Sequence, residues 1–228
     1  MREIVLDTET TGLDPSDGHR IIEIGCVELM DHLPTGRTFQ CYLNPERDVP
    51  IESQRVHGIT DEFIADKPLF AAMVDELFAF IGDAPLVIHN AGFDLKFLNA
   101  ELARLQRTPL AYARAIDTID IAKSKFPGAR YSLDELCKRF SIDLTSRSKH
   151  GALLDATLLA QVYLELVGGR QTKFNLTTLD TETALLGETR TARVRPVPLA
   201  PRASSAEAEG HAAFVARELG DDPVWNWG

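Results

Sequence analysis

The sequence lacks any apolar run approaching the ~20 residues that a membrane-spanning helix needs. No signal-peptide pattern follows Met1, so we expect a cytoplasmic protein that makes no contact with a membrane. Cysteine is also scarce. Cys26, Cys41 and Cys137 form no CxxC pair, and we expect reduced, buried thiols rather than disulfides or a zinc site. The 228 residues contain no internal repeat.

Positive charge is in short supply as well. The 24 Lys and Arg side chains are outnumbered by 34 Asp and Glu, which gives a net charge of −10. Because binding to phosphates by counterion release requires Lys and Arg, this balance argues against strong autonomous binding of nucleic acid. One stretch, 123–150, departs from it with seven basic and three acidic residues. It is either a phosphate-facing surface or a solvated helix face.

The composition changes near residue 168, and this change divides the chain. Residues 1–167 carry recurrent apolar segments and are predicted to form one α/β domain. The segment 168–206, rich in Thr, Ala, Arg and Pro, is predicted to be a flexible linker. In the tail, 207–228, an amphipathic helix over 207–219 precedes two tryptophans, which are typical anchors at protein interfaces.

Within the domain, the periodicity of apolar residues predicts strands and helices. The predicted strands are 3–7, 21–29, 38–43 and 86–88. The predicted helices are 69–81, 93–105, 133–140 with Ser132 as its N-cap, and 152–167. Three strands followed by helices that alternate with short strands indicate a mixed sheet flanked by helices, and disfavour a plain Rossmann sheet.

Two carboxylates follow the first strand. In an extended chain, residues i and i+2 face the same side, so Asp7 and Glu9 are expected to converge. Such a pair repels unless a cation lies between the two groups, and oxygen ligands suit Mg²⁺ or Mn²⁺. A turn-capping role for either residue is the alternative.

Two further acids and a histidine complete a possible site. Asp94 lies in the first turn of a predicted helix, where acids are also common for dipole reasons. Asp155 lies one turn into the last predicted helix, and His150 precedes that helix. A loop imidazole beside a helix-borne carboxylate suits a general base, whereas a surface Asp with a solvated His is the simpler interpretation.

These pieces in this order resemble the His-type DEDD exonuclease superfamily, which has an RNase H-like mixed sheet. The motifs that carry the resemblance are DTETTG, IIEIG, VHGI, VIHNAGFD and HGALLDA, within residues 3–170. The resemblance implies two divalent cations, Mg²⁺ or Mn²⁺, and His150 as general base. It implies that the metal-binding acids are Asp7, Glu9, Asp94 and Asp155, and that contacts to the 3′-terminal nucleotide come from Asp7, Glu9, Thr10, Glu52, His57 and Asp155.

Within that superfamily, the chain is similar to the proofreading subunits of bacterial DNA polymerase III. Residues 171–176 are similar to a motif that binds the beta sliding clamp, with Gln171, Phe174 and Leu176 as its anchors. The tail resembles the segment that tethers the proofreading subunit to the polymerase alpha subunit. The resemblance also allows a theta-like small subunit as a partner.

We therefore expect a proofreading 3′–5′ DNA exonuclease that acts on DNA 3′ ends in a nucleoid-associated replisome. A stand-alone DEDD exonuclease for RNA ends, of the RNase T or oligoribonuclease type, is the closest alternative. A non-catalytic scaffold that bridges polymerase and clamp is an alternative from a different functional class. Such a scaffold would have no need to hold mutually repelling carboxylates close together, so the cluster of acids disfavours this alternative.

Overall fold

The computed structural model describes residues 1–145, 149–168 and 204–218. Contacts divide the chain into two units, 1–174 and 175–228. In the described part of the second unit, one helix, Ser205–Glu218, is almost entirely exposed and corresponds to the predicted tail helix. The motif at 171–176, most of the predicted linker and both tryptophans lie outside the described residues.

The first unit is built on a five-stranded mixed sheet with the order β3-β2-β1-β4-β5. The three N-terminal strands are antiparallel neighbours, and β4 and β5 run parallel to β1. The strands are β1 (Arg2–Thr10), β2 (Ile21–Met30), β3 (Leu33–Tyr42), β4 (Leu86–Ile88) and β5 (Ala115–Asp117). This is the predicted mixed architecture.

Helices cover both faces of the sheet. The helices of the first unit are α1 (Ile51–His57), α2 (Asp61–Ile64), α3 (Phe70–Ile81), α4 (Ala91–Arg104), α5 (Thr118–Lys125), α6 (Leu133–Arg139) and α7 (Ala152–Val167); the tail helix, Ser205–Glu218, is α8. None of the described helices is long and apolar enough to cross a membrane.

Alternate residues of β1 supply two cores. Ile4 and Leu6 pack with α3 and α4 on one face, whereas Val5 packs with α6 and α7 on the other. The three residues before Asp7, Ile4, Val5 and Leu6, are therefore all apolar, as expected for a strand covered on both faces. The three cysteines are buried thiols, as predicted.

Sequence periodicity located the long helices but missed the short elements. It missed α1, α2, α5 and β5, because three to eight residues give too few repeats to show a period. Two strand limits were also wrong. The strand β1 continues to Thr10 rather than ending at Asp7, since Thr8 and Glu9 pair with β2. The strand β3 begins at Leu33 rather than Thr38, since Leu33 and Pro34 pair with Met30 and Leu29 at the end of β2.

The first turn of α7 lies directly against the backbone of β2. A Cβ atom at Gly25 would come within 2.5 Å of three backbone atoms of Ala152 and Leu153. Only glycine allows a helix backbone to approach a strand this closely. The contact fixes α7 over the carboxyl end of β1, because Gly25 pairs with Asp7.

We expect Gly25→Ala to destabilise the fold by about 1–3 kcal/mol, because the added methyl group forces α7 away from β2. Gly92→Ala is the matched control. Its Cβ would meet nothing within 4 Å, and Gly92 lies in α4, so we expect equal stability or a gain of up to about 1 kcal/mol. Urea denaturation followed by circular dichroism measures both free energies of unfolding. Equal values for the two variants would contradict the close approach.

Candidate active site

The central strand of the sheet carries the first two acids. Asp7 and Glu9 lie two residues apart on β1, on the face that Val5 shares with α7. Glu9 is buried and Asp7 is partly buried. Both acids pair with β2, which fixes their backbone positions at the carboxyl end of β1.

The third acid comes from the start of α4. Asp94 lies in the first turn of this helix and is buried, and its Oδ1 accepts a hydrogen bond of 2.7 Å from the Thr8 hydroxyl. The preceding loop holds Asn90 in a left-handed conformation, with φ of 67°. Asp117 accepts hydrogen bonds from the backbone amides of Asn90, Ala91 and Ile119, which ties the starts of α4 and α5 together. Asp117 is also the N-cap of α5.

The fourth acid and the histidine come from the start of α7. The helix begins at Ala152, Asp155 lies buried in its first turn, and His150 lies on the preceding loop, about half exposed. His150 Nδ1 is 3.2 Å from Asp155 Oδ2. Its backbone amide donates to the Val56 carbonyl of α1, at 3.2 Å. The loop that carries His150 therefore contacts α1.

Burial and mutual repulsion raise the pKa of two of these acids. Removal from water is the main reason that the pKa of Asp7 lies well above its usual range, and the charges of Asp94, Glu9, Asp155 and Glu23 add to the effect. Burial likewise raises the pKa of Asp94 to about 7, although hydrogen bonds from Thr8 oppose the shift. Such a group of carboxylates is stable as anions only beside positive charge.

The donor atoms fit a divalent cation. Glu9, His150 and Asp155 each place one ligand atom within 4.8 Å of the others. The neighbouring Asp7 and Asp94 add oxygen donors, and a set dominated by carboxylates suits hard cations. Thus the structure brings the four predicted acids and His150 to one end of the sheet.

Two cavities border this cluster. One, of about 370 Å³, is lined by Asp7, His89, Asn90, Ile119, Ser132, Leu133, Asp134, His150 and Asp155. The other, of about 330 Å³, is lined by Thr8, Glu9, Thr10, Gly12, Leu13, Glu52, Ser53, Val56, His57 and Phe93. The second cavity therefore gathers all three residues that the family resemblance assigned to the 3′-terminal nucleotide beyond the metal-binding acids.

His57 has a defined tautomer. The amide of Ile59 donates to Nδ1 at 3.0 Å, so the neutral ring carries its proton on Nε2. Burial, followed by the charges of Lys149 and His150, lowers the pKa of His57 to about 4. Among the described residues, Nε2 of His57 is the one buried side-chain nitrogen or oxygen without a hydrogen-bond partner. His57, which lines the cavity, thus holds a neutral N–H donor that no described group satisfies.

Sequence reasoning missed several residues around the second cavity. Ser53 donates to the Thr11 carbonyl at 3.0 Å and so joins α1 to the end of β1. Leu13 and Val56 are exposed at the cavity, and Phe93, which also packs against the core, lines it. The sequence did not reveal these residues because α1, which carries Ser53 and Val56, is too short to show a hydrophobic period.

The basic stretch 123–150 has a mixed environment. Lys123 and Lys138 lie near Asp120 and Glu135 on their own helices, and Arg139 stacks over the ring of Phe126. Arg147 lies outside the described residues. A role of this stretch in facing phosphates stays a prediction.

Comparison with known proteins agrees with this geometry. The RNase_T model, which describes an exonuclease, matches residues 4–163. A four-acid site with a histidine on this fold defines a metal-dependent 3′–5′ exonuclease that requires divalent cations.

Sequence relatives identify one group of proteins within this class of exonucleases. The chain is 56% identical over 179 residues to the DNA polymerase III subunit epsilon of Rickettsia typhi, covering 77% of this chain and 78% of that protein. It is 48% identical over 176 residues to the subunit of the same name from Escherichia coli K12, covering 74% and 72%. The chain belongs to the RNase_T exonuclease family and, within it, to the DNA polymerase III epsilon subunits.

Solved structures share the fold. Exonuclease X in complex with 5′-overhanging duplex DNA matches with a TM-score of 0.57 and 25% identity, covering 72% of this chain and 90% of that one. The nuclease domain of 3′hExo, a DEDDh family member bound to rAMP, matches with a TM-score of 0.64 and 22% identity, covering 73% and 91%. The likeness to 3′hExo concerns the fold alone.

The raised pKa values predict a pH dependence of stability in the metal-free protein. The folded state holds a proton on Asp94 up to about pH 7, whereas an ordinary Asp has a pKa of 3.8. The free energy of unfolding should therefore fall as pH rises through this window, and divalent cations should reverse the fall. Thermal unfolding in EDTA between about pH 5 and about pH 8 measures the slope.

Asp94→Asn should reduce that slope without removing it, because an amide does not titrate whereas Asp7, whose pKa is also raised, still does. Asp120→Asn, at an exposed position on α5, is the control and should leave the slope unchanged. An Asp94→Asn slope equal to that of the unmodified protein would contradict the shifted pKa.

Proposed function

We propose that the protein is the proofreading 3′–5′ exonuclease subunit of a replicative DNA polymerase III. It removes mispaired 3′-terminal nucleotides from DNA. The observation that carries the proposal is the meeting of Asp7, Glu9, Asp94, Asp155 and His150, which come from β1, α4, α7 and the loop before α7. The high identity to epsilon subunits supports the polymerase assignment.

We assign the metal ligands to Asp7, Glu9, Asp94 and Asp155, and Mg²⁺ or Mn²⁺ as the cations. When bound, two such cations supply the charge that stabilises the scissile phosphate, lowers the pKa of the attacking water and stabilises the leaving 3′ oxygen. The raised pKa values of Asp7 and Asp94 support this role, because positive charge is what these buried groups need to ionise.

His150 is the proposed general base. With a proton on Nδ1 directed to Asp155, 3.2 Å away, the neutral ring has its basic nitrogen at Nε2. The half-exposed loop lets the ring approach the attacking water and accept its proton. Attack on phosphorus breaks the bond to the 3′ oxygen and releases a nucleoside 5′-monophosphate.

The second cavity is the proposed site for the 3′-terminal nucleotide. Glu52 offers an acceptor and His57 Nε2–H a donor, both from α1, and Thr10 lines the same cavity. Polar partners of both kinds suit a nucleotide, which carries donors and acceptors of its own. Glu9 borders the same cavity, so the terminal nucleotide would lie beside the metal-binding acids.

The proposals for partners other than DNA are based on sequence motifs. Residues 171–176 would bind the beta sliding clamp through Gln171, Phe174 and Leu176, and the tail 207–228 would bind the alpha subunit. A theta-like small subunit is a further proposed partner. We also propose that the protein acts at the replisome in the cytoplasm. Tethering raises the effective concentration at the primer end, which offsets weak binding by an acidic domain.

Replacing Asp7 or His150 by alanine should abolish digestion without unfolding the protein. Loss of the base alone should cost about 100- to 10,000-fold in rate. Degradation of a mispaired DNA primer by the purified variants, with circular dichroism to verify folding, measures both effects. His211→Ala, at an exposed position on α8, is the matched control and should retain full activity.

Parallel assays on paired DNA and small RNAs test the substrate. Faster digestion of RNA than of mispaired DNA would favour the stand-alone RNA exonuclease. Digestion by Asp7→Ala at the unmodified rate would contradict the assignment of the site.

Two variants that act as controls for each other test the partners. Alanine at Gln171, Phe174 and Leu176 should abolish binding to the sliding clamp and preserve co-purification with the alpha subunit. Deletion of 200–228 should do the opposite, and both proteins should keep nuclease activity. Co-purification with the alpha subunit after the deletion would count against the tether.

A further inference from the structure

The motif Ile21-Ile22-Glu23-Ile24-Gly25 has no part in the mechanism described above, yet it lies beside the site. In the register of β1 and β2, Gly25 is the partner of Asp7 and Glu23 is the partner of Glu9. The two residues of β2 that face the β1 acids across the ladder are thus a glycine and a third carboxylate.

Glu23 is almost completely buried, and its oxygens have separate partners. Oε2 accepts a hydrogen bond of 3.1 Å from the backbone amide of Ala152, the first residue of α7. Oε1 accepts one of 2.8 Å from the Gln40 side-chain amide on β3. The amides in the first turn of a helix have no partner within that helix, so a carboxylate there stabilises the helix start by hydrogen bonding and by charge.

Glu23 and Gly25 act on the same turn of α7. Gly25 permits the close approach of the Ala152 and Leu153 backbone, and Glu23 binds the first amide of that turn. His150 lies two residues before Ala152, and the amide of Asp155 bonds the carbonyl of Gly151 within the same turn. The position of this turn on β2 therefore sets how far Asp155 and His150 lie from the acids of β1.

We propose that Glu23 and Gly25 are positioning residues that place Asp155 and His150 against Asp7 and Glu9. Neither touches the substrate, and the inference rests on the proposed roles of Asp155 and His150. Since a displacement of about 1 Å at a reacting centre can cost about 100-fold in rate, a hydrogen bond at the base of α7 affects the chemistry directly.

Glu23→Leu tests the role of the carboxylate. Leucine offers no acceptor, so the backbone amide of Ala152 and the side-chain amide of Gln40 both lose their partner. We expect kcat on a mispaired primer to fall at least about 10-fold and Mn²⁺ affinity to fall with it. The KM for DNA should change less than kcat, because Thr10, Glu52 and His57 lie on β1 and α1 and only Asp155 of the implied nucleotide contacts lies on α7.

The conservative variant Glu23→Gln provides the rescue. Its amide oxygen can accept from Ala152 while its NH₂ group donates to the side-chain oxygen of Gln40 once that exposed amide turns over, so both hydrogen bonds are kept. We expect kcat and Mn²⁺ affinity within about threefold of the unmodified protein, an outcome that a role of the negative charge alone does not produce.

Glu28→Leu is the matched control. Glu28 is also a buried carboxylate on β2, but it pairs with Arg2 and Arg37, far along the strand from α7. This variant should lose stability and keep its kcat at a temperature where it is folded. Glu23→Asp, whose shorter side chain is not expected to reach Ala152, should lose kcat as Glu23→Leu does, which keeps the test decisive if the latter does not fold.

The measurements are steady-state digestion and Mn²⁺ calorimetry on the full chain, with thermal unfolding of each variant. Unchanged kcat in both Glu23→Leu and Glu23→Asp, or no rescue in Glu23→Gln, would overturn the positioning role. Failure of the unmodified protein to digest DNA from its 3′ end would instead reject the proposed function, so the two failures are distinguishable.

Discussion

Repulsion among buried carboxylates is the constraint on which the rest of the structure depends. Burial raises the pKa of Asp7, and the negative charges of Asp94, Glu9, Asp155 and Glu23 raise it further. A fold gains nothing from such a cluster unless a cation occupies it, since isolated buried charge is costly. The rest of the structure must therefore be stable enough to keep the acids close together when no metal is bound.

The sheet and its two helical layers provide that stability. The strand β1 has neighbours on both sides and apolar contacts on both faces, so its end cannot move independently. The helices α4 and α7 approach that end with their N-termini, and the positive end of each helix dipole partly offsets the charge of Asp94 and Asp155. The close contact at Gly25 and the hydrogen bond to Glu23 fix α7 in this position.

The four acids at the site account for part of the excess of acidic residues. Residues 1–169 hold 17 basic and 26 acidic side chains, and four of those acids meet at the site. Part of the negative charge is thus a requirement of the proposed metal binding and not evidence against a nucleic acid substrate. The remaining excess is compatible with a nuclease whose proposed tethers supply the local concentration that its own surface does not.

The sequence by itself determined the mixed sheet, the long helices and the identity of the four acids and His150, because strand and helix periods are local and the order of the motifs is specific. Only the tertiary structure decided that Thr10, Glu52 and His57 share a cavity, that Ser53 joins α1 to β1, and that Glu23 holds α7. Short helices such as α1 lack a detectable period. Contacts between residues 129 positions apart, such as Glu23 and Ala152, depend on packing that no local pattern encodes.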